Sequence, residues 1–188
     1  MGSNSLETRQ VNSRRTTLIF VRHAFAELQV GESGDAGRPL SSRGLEQIQP
    51  LLESLQVYRV QYIYASDTRR AAQTANEIGK LLDLTVRLLP ALRELCSNIG
   101  AVPGVGNEQV ARQESLKAFQ QRISGAIDQI VTECPEECTV VVAHSGTIRA
   151  ALCHLLQLPL SAFEVPSIPQ GSIVVVVKDF GGSWNAAG

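Results

Sequence analysis

Short apolar runs and longer amphipathic segments alternate along most of the chain. Five short, mainly apolar runs occupy residues 18–22, 62–65, 85–89, 139–143 and 172–178. Apolar runs that lack polar alternation are typical of strands covered on both faces, as in a parallel sheet. We therefore predict five strands, most of them parallel to one another.

The amphipathic segments between these runs predict helices at residues 42–55, 68–82, 115–132 and 145–156, with Ser41 or Ser42 capping the first. The apolar face of that first helix is formed by Leu45, Ile48, Leu51, Leu52 and Leu55. Pro50 should kink it, because proline removes one backbone hydrogen bond. Alternating strands and helices predict an α/β fold, in which helices cover both faces of a mostly parallel sheet.

The length of 188 residues suits one domain, which we place at residues 16–180. Residues 1–15 are polar and lack the apolar segment of a signal peptide, so we expect a disordered tail. Residues 181–188 are rich in Gly and Ala, and we expect this end to fray. No apolar stretch approaches the roughly 20 residues that span a bilayer, and we expect a cytoplasmic protein.

Composition argues against several partners. The formal net charge is −1, which is unfavourable for binding nucleic acid or an anionic membrane. The four cysteines do not form the two tight pairs of a closed zinc site, so we interpret them as reduced thiols. The sequence makes no prediction of oligomeric state.

Polar groups follow four of the predicted strands at the point where each strand ends. They are Arg22-His23, the segment from Ser66 to Arg70, Arg93-Glu94 and the segment from His144 to Gly146. The carboxyl ends of parallel strands share one edge of a sheet, where ligands bind in open α/β folds. We therefore expect these four groups to form one site.

The residue types in this predicted site suit phosphoryl transfer. Arg22 and Arg70 offer forked donors that match phosphate, and the backbone N–H groups of Ser145 and Gly146 begin a helix, which favours an anion. Arginines could supply the positive charge that this transition state needs, so we predict no metal and no cofactor.

A nucleophile and a proton donor can also be chosen from the four groups. Neutral His23 can attack phosphorus, and Glu94 can protonate the leaving oxygen and then activate water. Each residue also has a structural interpretation: Arg70 could pair with Glu77 or Asp67, and Glu94 could be a solvated loop residue. We interpret His154 as a packing residue, and for Arg149 an ion pair ranks ahead of contact with the anion.

Together the motifs resemble those of the histidine phosphatase superfamily, which includes the cofactor-dependent phosphoglycerate mutases. The segment from Leu18 to Ala24 resembles the Arg-His-Gly signature, and the segment from Pro39 to Gln47 resembles Leu-Thr-x-x-Gly-x-x-Gln. Ser66 to Ala75 resembles Ser-x-x-x-Arg-Ala-x-Gln-Thr-Ala, Leu92 to Glu94 resembles Leu-x-Glu, and His144 to Arg149 resembles His-Gly-Gly-x-Ile-Arg.

This resemblance implies a phosphoglycerate mutase-like three-layer α/β/α sandwich and a metal-independent phosphatase that acts through a phosphohistidine. It places the phosphorylated histidine at His23 and the acid at Glu94. It also makes Arg22, Arg70 and His144 catalytic contacts to the transferred phosphoryl group.

The departures from the family pattern concern the substrate. Ala24 replaces the usual Gly, while Phe25, Ala26 and Gln29 stand where mutases and sugar bisphosphatases have polar groups. These changes, with a short loop at residues 96–113, argue against a mutase and predict a more apolar wall and a small lid. A phosphorylated small molecule is the expected substrate. The alternatives are a phosphoprotein or phosphohistidine substrate, or a catalytically weak relative that only binds a phosphorylated ligand.

Overall fold

The chain is described from a computed structural model over residues 15–28, 35–95, 114–159, 167–179 and 181–187. The strands of the described part are β1 Arg15–Arg22, β2 Tyr62–Ala65, β3 Val86–Leu88, β4 Cys138–Ala143, β5 Ile173–Asp179 and β6 Trp184–Ala187. The helices are α1 Ser42–Glu46, α2 Ile48–Leu55, α3 Arg69–Leu82, α4 Leu116–Glu133 and α5 Ser145–Leu155. Two single turns of 3-10 helix lie at Asp35–Gly37 and Pro90–Leu92.

The strands form a mixed sheet in the order β3-β2-β4-β1-β5-β6. The four strands from β3 to β1 run parallel, so their carboxyl ends share one edge. β5 lies antiparallel to β1, and β6 lies antiparallel to β5. The predicted α/β fold with a mostly parallel sheet is confirmed, and β5 and β6 are the antiparallel exceptions.

Helices cover both faces of the sheet and form two separate cores. Leu18 and Phe20 of β1 point to one face and pack in the same cluster as residues of α4 and α5. Ile19 and Val21 point to the other face and pack with residues of α2 and α3. Since successive side chains of a strand alternate between faces, β1 contributes to both cores and is held rigidly between them.

The predicted first helix is interrupted before Pro50. The chain forms α1 and α2 with a break at Gln47, and Pro50 is the third residue of α2, where a backbone N–H has no helical acceptor to lose. Leu45 lies on α1 and is 59% exposed, so the expectation that it faces the core is wrong. The cap prediction is confirmed at Ser41, whose side chain accepts a hydrogen bond from the Gly44 N–H.

The prediction of a frayed carboxyl end is wrong for Trp184–Ala187, which pairs with β5 as an edge strand. Gly182 N–H donates to the Asp179 carbonyl and Gly181 has a φ of 70°, so the glycines form a hairpin turn. A segment of only four residues gave little strand signal there, and it pairs with β5 through its main chain. Arg15, which the sequence placed in the disordered tail of residues 1–15, is the first residue of β1. The rest of that predicted tail and the predicted loop at residues 96–113 lie outside the described residues.

Among the residues that the structure describes, no helix has the length and apolarity needed to cross a bilayer. The cytoplasmic location expected from the sequence stays a prediction.

Candidate active site

The shared edge of the parallel strands brings the predicted site residues together. β1 ends at Arg22 and places His23 just beyond the sheet, while His144 occupies the cap position between β4 and α5. The two imidazole rings meet edge to face with their centroids 5.1 Å apart. Arg70, in the first turn of α3, reaches both rings.

His23 is held with one ring nitrogen bonded to the backbone and the other facing a cation. Its Nδ1 lies 2.8 Å from the Ala24 carbonyl, which accepts the hydrogen bond. Nε2 is therefore the unprotonated ring nitrogen that carries the lone pair. The residue is 4% exposed, and burial lowers its pKa to about 4, with the positive charges of Arg70 and Arg22 adding to the effect. At neutral pH the ring is therefore an uncharged potential nucleophile.

Arg70 lies between the two histidines. Its Nε donates to His23 Nε2 at 3.2 Å, and its Nη2 lies 3.5 Å from His144 Nδ1. Burial lowers the pKa of this guanidinium, and Asp35 opposes that effect through its charge and a hydrogen bond. The expected partners of Arg70, Glu77 and Asp67, are instead paired with Lys80 and Arg93 respectively.

Arg22 is anchored by the segment that precedes β5. Its Nη1 donates to the Ile168 carbonyl and, at 3.2 Å, to the Ser167 hydroxyl. Its Nε is buried and has no hydrogen-bond partner among the described residues. Because a buried guanidinium N–H without an acceptor is costly, this donor is well suited to an anionic ligand.

His144 is fixed by hydroxyl groups from the loop that follows β2. Its Nε2 lies 3.0 Å from Ser66 Oγ and 3.3 Å from Thr68 Oγ1. Burial lowers the pKa of His144 well below its ordinary value, and the neighbouring His23 and Arg70 lower it further. A bound anion would oppose these charges and favour protonation of the ring.

Glu94 lies close enough to Arg22 and Arg70 for its charge to act on both, and each of its carboxylate oxygens accepts a hydrogen bond. Oε2 accepts a hydrogen bond from the Gly146 N–H at 2.8 Å, and Oε1 accepts one from the Leu95 N–H at 2.9 Å. A Cβ atom at Gly146 would stand only 2.2 Å from Glu94 Oε1, so glycine is required for this approach. The carboxylate is thus a fixed part of the site and is not a freely solvated loop group.

The loop that carries Glu94 is clamped from several directions. Arg122 of α4 donates to the carbonyls of Ala91 and Arg93 at 2.6 and 3.0 Å. The same guanidinium makes two hydrogen bonds to Glu114, at 2.8 and 2.6 Å. The Arg93 side chain is bound by both carboxylate oxygens of Asp67. This network fixes the backbone on which Glu94 is mounted.

Several sequence predictions for this region change in detail. The Gly146 N–H donates to Glu94, so it is not an open anion donor here. The Ser145 hydroxyl accepts a hydrogen bond from the Ile168 N–H, and the anion-binding role of the Ser145 backbone N–H stays a prediction. His154 is not only a packing residue, because its Nε2 lies 2.7 Å from Asp128 Oδ1. Arg149 donates to the Ser145 carbonyl at 3.4 Å.

Two residues of the site region were missed as candidates. Asp35 contacts Arg70, but no sequence signal connects two residues 35 positions apart. Gln47 accepts a hydrogen bond from the Phe25 N–H at 2.8 Å and donates to the Gln170 carbonyl at 2.9 Å. It therefore ties the end of β1 to the segment that anchors Arg22. The sequence signal that could have identified Gln47 was its position at the end of the Pro39–Gln47 segment, which resembles a motif of the family.

The positions that depart from the family pattern follow His23 directly in the chain. Ala24 and Ala26 are buried, at 0% and 8% exposure. The Phe25 ring is partly exposed and is covered by the Arg43 guanidinium at 3.8 Å from its centroid. Gln29 lies outside the described residues. The Phe25 ring therefore carries a stacked cation, and the apolar wall expected from the sequence stays a prediction.

Comparison with known proteins agrees with this geometry. The chain is 29% identical to phosphoserine phosphatase 1 of Hydrogenobacter thermophilus over 78% of this chain and 79% of that protein. It is 24% identical to the adenosylcobalamin/alpha-ribazole phosphatase of Escherichia coli, over 82% and 86% of the two chains. Among solved structures, Bacillus stearothermophilus YhfR superposes with a TM-score of 0.75 over 92% of this chain and 95% of that one, at 21% identity, which supports the fold. The sequence profile of the histidine phosphatase superfamily (branch 1) matches residues 18–113 and 102–186. The chain therefore belongs to the histidine phosphatase superfamily.

Proposed function

We propose that the protein hydrolyses phosphate monoesters without a metal ion, through a phosphohistidine formed on His23. The observation that carries this proposal is the orientation of His23: Nδ1 is bonded to the Ala24 carbonyl, and the lone pair of Nε2 faces the Arg70 guanidinium. A phosphoryl group placed beside His23 Nε2 and Arg70 would meet both a nucleophile and a fixed cation.

In the first step His23 Nε2 forms a bond to phosphorus while the bond from phosphorus to the ester oxygen breaks. Glu94 gives its proton to that oxygen, so the alcohol leaves neutral. In the second step water attacks phosphorus, Glu94 takes the proton from the water, and the bond to His23 Nε2 breaks. Inorganic phosphate is released, and both side chains return to their starting states.

The charge that develops on the phosphoryl oxygens is met by fixed donors. Arg22 contributes its buried Nε, and Arg70 contributes the edge formed by Nε and Nη2, which faces the two histidines. His144 contributes its ring, which Ser66 and Thr68 hold in place. Donors that are already oriented cost little reorganisation during the reaction, which is why such groups lower the barrier effectively. No step requires a metal or a cofactor.

A phosphorylated small molecule is the substrate that we propose. The curated relatives above are named as phosphatases of phosphoserine and of alpha-ribazole phosphate, both small molecules. Phe25 and Arg43 add an apolar ring and a cation beside the reactive histidine, which suits a substrate with both apolar and anionic parts. A phosphoprotein remains the alternative substrate.

The test is hydrolysis of para-nitrophenyl phosphate in the presence of a chelator, by the native protein and by the variant His23→Ala. We expect turnover by the native protein and none by the variant. The variant Glu94→Gln should turn over slowly while inorganic phosphate still inhibits it, because Glu94 moves a proton but does not bind the phosphoryl group. Equal activity of the native protein and His23→Ala would refute the mechanism.

A panel of phosphorylated metabolites and phosphopeptides then identifies the substrate class. Faster turnover of metabolites supports the proposal, and a clear preference for phosphopeptides favours the alternative. Binding of phosphorylated ligands without any turnover would instead indicate a relative that has lost catalysis.

A further inference from the structure

Asp35 makes a set of contacts to the arginines of the site that the proposed reaction does not use. Its carboxylate Oδ2 accepts from Arg70 Nη2 at 2.9 Å, and its main-chain carbonyl accepts from Arg70 Nη1 at 2.7 Å. The other carboxylate oxygen pairs with Arg38 Nε at 2.9 Å. One residue therefore bridges two cations beside the histidines.

The two edges of the Arg70 guanidinium have different partners. The end formed by Nη1 and Nη2 is held by Asp35, while the side formed by Nε and Nη2 faces His23 and His144. A planar fork that is gripped at one edge has its other edge fixed in direction. The edge that is directed at the histidines is the one that a phosphoryl group bound beside His23 would meet.

We propose that Asp35 is a positioning residue, which aims the Nε and Nη2 edge of Arg70 at the phosphoryl group and keeps Arg38 beside it. The inference rests on the proposed function, since it assigns Arg70 the role of binding the phosphoryl group. Asp35 acts through Arg70 and does not itself touch the substrate.

The exposures of the residues argue that Asp35 supports the site and does not fill it. The side chain of Asp35 is 62% exposed and that of Arg70 is 4% exposed, so the carboxylate approaches the guanidinium from the solvent side. Asp35 also offsets part of the cost of burying Arg70, because an opposite charge favours the charged form.

The experiment measures inorganic phosphate binding by calorimetry and by competitive inhibition, for the native protein and for the variants Asp35→Asn and Asp35→Ala. Loss of the carboxylate should weaken phosphate binding by about three- to tenfold, the range expected for one charge-assisted contact acting indirectly. Asp35→Asn should be milder than Asp35→Ala because the amide still offers an oxygen acceptor. Unchanged or tighter phosphate binding would overturn the proposal, and tighter binding would identify Asp35 as a competitor of phosphate.

Asp179→Asn is the matched control. It removes the same charge from an exposed pair with Arg15 on β1, and phosphate binding should not change. Asp179→Asn should keep the native melting temperature, whereas Asp35→Ala should lower it modestly because the buried Arg70 guanidinium loses its charge partner.

A double-mutant cycle tests whether Asp35 acts through Arg70. In an Arg70→Lys background, the change Asp35→Ala should have little further effect on phosphate binding, because lysine has no planar edge to orient. Additive effects of the two changes would contradict the proposal. Calorimetry distinguishes the failure of one proposal from the failure of the other. If phosphate binding depends on Asp35 but the protein turns over no substrate, only the proposed function is refuted. If the protein turns over substrate and phosphate binding does not depend on Asp35, only this inference is refuted.

Discussion

The variant Gly146→Ala tests the placement of Glu94 with a single methyl group. The Cβ of the alanine would stand 2.2 Å from Glu94 Oε1, whereas ordinary contacts begin at 3.4 Å. The carboxylate must therefore retreat by about 1 Å, and its 2.8 Å hydrogen bond from the Gly146 N–H would weaken or break.

The size of the effect follows from this displacement. A reacting group that is misplaced by about 1 Å can cost about a hundredfold in rate, or about 2.7 kcal/mol in the activation barrier. Phosphate affinity should change little, because Arg22 and Arg70 bind the phosphoryl group and neither is displaced. We therefore expect kcat to fall about a hundredfold while the inhibition constant of inorganic phosphate stays close to that of the native protein.

Steady-state hydrolysis of para-nitrophenyl phosphate with added inorganic phosphate measures both quantities. Gly125→Ala is the matched control, since a Cβ at this position of α4 meets no atom within 4 Å. The control should keep full activity and gain up to about 1 kcal/mol of stability from its better helix propensity, which raises Tm by about 2–4 °C.

The reasoning would be refuted if Gly146→Ala kept native kcat with a native Tm. That result would mean that Glu94 can move away without consequence and that the catalytic acid is another group. A parallel loss of phosphate inhibition would show that the substitution damages the anion site instead.

Three further predictions concern His23 and Arg122. The rate constant kcat/KM, corrected for ionisation of the substrate, should fall at acid pH only near pH 4, where the buried His23 becomes protonated and loses its lone pair. A fall of kcat/KM that begins near pH 6.5 would contradict this prediction. Because folding lowers the pKa of His23, the unfolding free energy should drop as the pH falls from 6.5 towards 4. The drop should be about 3 kcal/mol larger in the native protein than in His23→Asn. Equal losses of stability in thermal melts of the two proteins would contradict this prediction. Arg122→Met should lower kcat by about tenfold with phosphate inhibition unchanged, because the loop that carries Glu94 loses two hydrogen bonds. The control is Lys80→Met, which removes an exposed ion pair on α3. Native kcat in Arg122→Met would contradict the role of Arg122 in holding this loop.

Much of the site could be predicted because its residues stand next to apolar runs. Arg22 and His23 follow β1 directly, and His144 follows β4, so the parallel register of these strands was enough to bring them together. Arg70 was placed correctly for a similar reason, since it lies in the first turn of the helix after β2. Local pattern and sheet topology were sufficient for these four positions.

The contacts that could not be predicted join residues far apart in sequence. The bond between Glu94 and Gly146 spans 52 positions, and that between Arg70 and Asp35 spans 35. No periodic pattern reports such pairs, because they depend on how a loop folds over the sheet edge. The same limit applied to β6, whose four residues carry little strand signal while its main chain pairs with β5.

The central claim is that His23 carries the phosphoryl group during turnover. The most direct test mixes the protein with excess phosphate ester, quenches in base to preserve a phosphohistidine, and locates the modification by mass spectrometry of peptides. The account predicts one phosphoryl group on His23 at early times, no modification in His23→Ala, and decay of the signal as substrate is consumed. Turnover by the native protein with the phosphoryl group on another residue, or on none at any quench time, would contradict it.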